Sequence, residues 1–285
     1  RMTEVLTLFE FQGNNSGGGM FNVLVPPYDD VRVRRGLTLM NNQEATIEAL
    51  GGKGISTPAT QFFSADSNWY SQEVADAYPS FDYEAGKALV QEYVDDPARS
   101  DEKAVGEKIT VDFACPPDPT LIAFASVLEQ LWTASDLVEF NLSHADQQTH
   151  INIALGISNG FMGDHGVHCW RWSSQDDPSI ALGDAFAGPW QASPLNFSNY
   201  SHPDATVALA AALATDDFEE RRRQYEIIGL IAARDVPYWY TGGTATVLAV
   251  DEKLTGLATW TTVDGALGSG HPASEGRWRQ AWWME

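Results

Sequence analysis

Between residues 108 and 172 the spacing of apolar positions switches repeatedly between two periods. Lys108–Ala114 alternates apolar and polar residues, the pattern of a half-buried strand, and Pro116-Pro117-Asp118-Pro119 stops it. Thr120–Leu137 then puts Leu121, Phe124, Ala125, Leu128 and Leu131 on one helical face. Val138–Leu142 predicts a second strand, Asp146–Ile157 a second helix and Gly166–Trp172 a third strand. Strand, helix, strand, helix, strand with short links is the βαβ signature. The predicted fold class is therefore α/β, with a mostly parallel sheet flanked by helices.

The flanking segments read less regularly. Val5–Gln12 and Met20–Val25 predict strands on either side of a flexible turn at Asn14–Gly19, and Pro26-Pro27 ends the second. Asp29 or Asp30 is placed to cap a helix over Val31–Asn41, and Gln43–Leu50 predicts another. Residues 55–80 read as one long loop, and Asp82 as the cap of a helix over Glu84–Val94. Farther on, helices are expected over Pro203–Ala214 and Phe218–Arg234. Two strands are expected at Pro237–Thr241 and Thr244–Val250, and a short one near Arg279–Trp283.

Composition narrows the partners. The 285 residues carry 39 Asp+Glu against 17 Lys+Arg, a net charge of −22. Such a surface repels phosphate, which argues against nucleic acid or an anionic membrane as a main partner. No run of about 18 apolar residues is present to suggest a membrane span. Enzyme motifs are missing too: there is no Gly-x-Ser-x-Gly elbow, His-Glu-x-x-His, P-loop or Gly-x-Gly-x-x-Gly. No catalytic residue or cofactor is singled out. His165, His168 and Cys169 suggest a metal at first sight, but alternation along a strand points His168 and Cys169 to opposite faces, so no metal site is assigned. Arg221, Arg222 and Arg223 beside Glu219 and Glu220 read as a solvated, salt-bridged helix face.

Three segments carry a family resemblance. Pro26-Pro27-Tyr28-Asp29-Asp30-Val31-Arg32-Val33-Arg34-Arg35-Gly36-Leu37 is similar to a PPFDDVRVRQAL signature. Asn196–Asp204 followed by Asp217–Tyr225 is similar to a paired NYSNPEVD and EERKALY signature, and Ala233–Tyr240 to LAEDAPYIPLY. Together they resemble the peptide/opine/nickel-type solute-binding proteins of ABC importers, extracellular solute-binding protein family 5. The resemblance implies a type II, cluster C periplasmic-binding-protein lobe that takes a small solute or oligopeptide by closing against a second lobe. It also implies an ABC permease as partner and a periplasmic or extracellular location, with a lipid anchor in the full-length protein. The matched motifs belong to the family's second lobe, so the chain is expected to be a C-terminal fragment whose N-terminal lobe lies mostly before Pro26. Residues 1–26 would be hinge and first-lobe strands, 27–250 the second lobe, and 251–285 the return to the first lobe.

The segment after the third βαβ strand is the candidate site, because ligands of parallel sheets sit at strand carboxyl ends. Trp170, Arg171, Trp172, Ser173, Ser174 and Asp176 combine aromatic walls with groups that orient a ligand. The alternative is that one Trp is core and that Asp176 and Asp177 cap a helix after Pro178. Where the family has a Gly-Trp-x-x-Asp-x-x-Asp-Pro segment, Ser173 or Ser174 stands near its middle Asp, which in some peptide-binding members receives the peptide amine. Cys115 and Cys169 fall at or near the ends of two predicted strands of one sheet, within disulfide reach. An exported protein favours the bridge, and two buried thiols are the alternative. Two other functional classes stay open from sequence: a stand-alone α/β hydrolase-like enzyme and a protein-interaction module.

Overall fold

The computed structural model describes residues 6–65, 67–155, 166–171, 178–186, 195–251, 254–255 and 282–283. Its main sheet contains β1 (Leu6–Phe21), β2 (Ile109–Cys115), β3 (Val138–His144), β4 (Val167–Arg171) and β5 (Tyr238–Asp251) in the order β3-β2-β4-β1-β5. The expected βαβ strands are parallel: β2 pairs with β3 on one side and β4 on the other. The sheet as a whole is mixed, because β1 joins both β4 and β5 antiparallel. Short strands β6 (Leu254–Thr255) and β7 (Trp282–Trp283) pair separately.

Alternation along the strands builds two cores, one on each face. Ile109, Val111, Phe113 and Cys115 of β2, with Phe21, Val167, Cys169 and Trp239, face one layer. That layer includes α1 (Val31–Leu39), α4 (Tyr83–Val94) and α5 (Pro119–Thr133). Met20, Tyr238 and Tyr240 point the other way, toward α8 (Pro203–Leu213) and α9 (Phe218–Asp235). Helix starts follow the expected chemistry. Asp30, Asp82, Asp118 and Asp217 each accept a backbone N–H of the first turn of α1, α4, α5 and α9. Asn42 does the same for α2 (Gln43–Ala49).

Several expectations are corrected. Asn14–Gly19 is no turn: β1 runs unbroken through it, with ladder irregularities between Gln12 and Ser16 and between Gly17 and Gly18. The glycines serve close approach and not chain reversal. A Cβ on Gly19 would collide with the Trp239 ring and come within 2.7 Å of the His168 carbonyl oxygen. The two strands expected at 237–250 are one, since Gly242 and Gly243 continue the ladder. Within the supposed loop 55–80, Ser71 caps α3 (Gln72–Ala77), which packs on α9. The arginine cluster is only partly a solvated face. Arg223 pairs with Glu220, but Arg222 donates to the Tyr70 carbonyl at 3.1 Å, and Arg221 lies over the Trp69 and Tyr225 rings.

The motif segments meet at one buried point. Arg34 donates from Nε to the Asp235 carbonyl (2.9 Å) and from Nη1 to the carbonyls of Tyr28 (2.6 Å) and Asp29 (3.1 Å). Arg35 donates to the carbonyls of Ala233 and Arg234. Two successive guanidinium groups thus satisfy the orphan carbonyls at the end of α9, where the helix dipole favours positive charge. The next residue, Val236, is fully buried with φ 47°, a left-handed conformation that costs a β-branched residue about 1–3 kcal/mol. Tyr200 donates its hydroxyl to Asp235 at 2.6 Å, and Asn199 donates to Asn22 at 3.1 Å, just past β1.

Two predictions follow from this packing. Gly19→Ala is expected to destabilise the fold by about 1–3 kcal/mol, since Trp239 must move; an unchanged urea midpoint would refute the close-approach reading. Burial opposes the Asp235 charge, but hydrogen bonds from Arg234 and Tyr200 outweigh it and hold this carboxyl below the usual range. The resulting stabilisation is present above the unfolded carboxyl pKa of about 3.9 and is lost as pH falls through the folded value. Tyr200→Phe should therefore cost about 1 kcal/mol at pH 7, and the deficit should shrink once Asp235 is protonated. A deficit of constant size in acid would show that the hydroxyl does not act through the Asp235 charge.

A candidate ligand cleft at the carboxyl ends of β2 and β4

The chain leaves β2 through α5 toward β3 and returns through α6 (Gln147–Ala154) to β4, on the other side of β2. That reversal opens a crevice outside the carboxyl ends of β2 and β4, the place where open α/β sheets take ligands. A cleft of about 570 Å³ lies there, within the ordinary range for small-molecule sites.

Each wall has a local cause. Pro116 ends β2, and Asp118 turns the chain into α5, so that Thr120, Leu121 and Phe124 from its first turns line the cleft. Gln147 and His150 come from the start of α6, which Asp146 caps through bonds to Gln148 and Thr149. Cys169 and Trp170 come from β4, Gly17 and Gly18 from β1, Thr241 from β5, and Leu50 from the end of α2. The lining is apolar with a few polar groups, suited to burying a ligand and orienting it.

Trp170 is half-buried and fixed on its inner side. Its ring meets Phe197 edge-on, with centroids 4.6 Å apart, and stacks near His150 at 6.0 Å. Phe197 is itself 1% exposed. A wall held this way loses little freedom when a ligand lies against it. His150 packs against His168 at 4.6 Å and engages the Cys169 carbonyl through Nε2 at 3.3 Å. A carbonyl only accepts, so that bond requires the proton on Nε2. Burial pushes the His150 pKa down, so the ring is neutral at neutral pH.

Cys115 and Cys169 form a disulfide, with Cα atoms 5.4 Å apart. The register that pairs Phe113 with Val167 and Ala114 with His168 brings the two residues side by side on β2 and β4. The bond closes a loop with a sequence separation of 54 at the base of the cleft, which restricts the unfolded chain by about 4 kcal/mol in the chain-entropy account.

Of the residues singled out from sequence, Trp170 lines the cleft and the backbone of Arg171 pairs with Gly17 at its edge. Trp172, Ser173, Ser174 and Asp176 lie outside the described residues, as do His165 and Asp177. Sequence reasoning missed Asp118, Thr120, Leu121, Gln147, His150 and Thr241 as lining residues. The rule that pointed to the end of β4 applies equally to the residues following β2, and Pro116–Leu121 follows from it directly.

Comparison with known proteins places this geometry. A family model described as "Bacterial extracellular solute-binding proteins, family 5 Middle" matches residues 2–194. The dipeptide-binding protein of Escherichia coli (strain K12) is 26% identical over 235 residues, covering 78% of this chain and 39% of that protein. Among solved structures, the oligopeptide-binding protein AppA from Bacillus subtilis, in complex with a nonapeptide, superposes with a TM-score of 0.77 at 16% identity. That match covers 98% of this chain and 53% of AppA. The dipeptide binding protein from Pseudoalteromonas sp. SM9913, in complex with Met-Leu, gives a TM-score of 0.73 at 17% identity, covering 99% and 50%. The chain thus spans about half the length of these solved structures and less of the Escherichia coli relative. The structures establish a shared periplasmic-binding-protein fold, and the match over residues 2–194 establishes that the chain belongs to the bacterial extracellular solute-binding proteins of family 5.

Proposed function

We propose that this chain provides one wall of the ligand cleft of an ABC importer's solute-binding protein, and that the ligand is a small peptide or a solute of similar size. The observation that carries the reading is the cleft itself: it lies at the carboxyl ends of β2 and β4, and its aromatic wall, Trp170, is held rigid by Phe197. The relatives' descriptions name dipeptide and oligopeptide binding, which supports the ligand class. In this reading there is no chemical step. The ligand favours a closed state because it touches both lobes, and closure is the signal passed to the permease.

Residues 27–250 would form the second lobe, with 1–26 and 251–285 linking it to the first. The β1–β5 pair supports this division. Its rungs continue from Gly17–Gly242 out to Leu6–Asp251, whereas β4 pairs only with Gly17–Phe21. A periplasmic or outer-surface location accords with the family's extracellular description. Among the described residues no helix is long and apolar enough to cross a membrane.

One wall of a two-walled site binds weakly. Trialanine is expected to bind this chain with a Kd in the range of about 1–10 mM. In an NMR titration it should shift the Trp170 indole and the Thr120, Leu121 and Thr241 amides, and Trp170→Ala should remove those shifts. Shifts confined to other surfaces, or a micromolar Kd insensitive to Trp170→Ala, would overturn the assignment of the site.

A further inference from the structure

Among the described residues lining the cleft, Asp118 is the only carboxylate and none is a lysine or arginine. His150 is kept neutral there by burial. Asp118 is held in place: its Oδ1 accepts from the backbone N–H groups of Thr120 (2.9 Å) and Leu121 (3.3 Å). No hydrogen bond or ion pair from the described residues engages its Oδ2. The N-terminal end of α5 carries about half a positive charge, which a full carboxylate more than offsets, so this end of the cleft is net negative. An anionic ligand group placed here would meet a fixed carboxylate. A cationic one would meet an oxygen that no described residue engages, in a cleft that Trp170 also lines.

We propose that Asp118 is a specificity-determining residue of the cleft, selecting ligands that present an ammonium or guanidinium group. The inference rests on the cleft being the ligand site and goes on to name the charge of what it takes. It also relocates amine recognition. In the sequence the family's middle Asp corresponds to the neighbourhood of Ser173 or Ser174, whereas Asp118 comes directly after β2, as the cap of α5.

Two probes without terminal charges isolate the effect: acetyl-Lys-Ala-amide and its neutral counterpart acetyl-Gln-Ala-amide. Titrated into this chain at low salt and followed by the Thr120, Leu121 and Trp170 signals, the lysine probe should bind about fivefold more tightly. The preference should weaken as salt is added. Asp118→Asn keeps a good helix cap and should bring the two probes to equal affinity. Equal affinities in the unsubstituted chain, or a preference that survives Asp118→Asn, would overturn the role of Asp118 while leaving the cleft assignment standing. If neither probe shifts these signals, the cleft assignment fails and the inference fails with it.

Discussion

The frame of this molecule depends on one buried guanidinium. Removing Arg34 from water costs several kcal/mol, and only a full set of acceptors makes that tolerable. Its acceptors come from two distant places: the carbonyls of Tyr28 and Asp29 before α1, and that of Asp235 at the end of α9. Satisfying Arg34 therefore fixes where α9 stops, and Val236 is held left-handed directly beyond it. That bend sets the direction of β5, β5 pairs along the length of β1, and these two strands carry Thr241, Gly17 and Gly18 to the cleft. Burial lowers the pKa of Arg34, but a guanidinium starts so high that it stays protonated in any ordinary solution. The constraint is therefore present wherever the protein folds.

This arrangement separates what identifies the family from what selects a ligand. The segments containing Pro26–Leu37, Asn196–Asp204 and Ala233–Tyr240 meet around Arg34, Tyr200 and Asp235, where they close the frame. None of Arg34, Tyr200 and Asp235 lines the cleft. Recognition by motif thus reports the scaffold, and the lining residues are free to differ between proteins that share it.

The parts legible from sequence were those decided locally. Strand and helix periods between 108 and 155, and caps such as Asp82, need only neighbouring residues to be interpreted. The misreadings have distant causes. Glycines 17–19 look like a turn until Trp239 and Thr241, more than two hundred residues later, are seen to crowd the space of their missing side chains. Gly242 and Gly243 look like a break for the same reason, because the partner strand that keeps them extended lies at the other end of the chain. The cleft was half legible. Trp170 could be found because it stands at the end of a recognisable strand, whereas Gln147 and His150 became neighbours of Thr241 only through the order β3-β2-β4-β1-β5.

The long pairing of β1 with β5 has a mechanical consequence. Leu6 and Asp251 sit opposite each other, so both strands leave the ribbon at the same end. A pull that separates them there loads one rung at a time, like a zipper, and not the whole ladder in shear. Yielding would start at Leu6–Asp251 and run inward as far as the irregularity between Gln12 and Ser16. Beyond that point β1 is also bonded to β4, and further opening would have to break two ladders at once. The ribbon is thus compliant at its outer end and stiff where it enters the sheet, which lets it bend under load without disturbing the walls of the cleft.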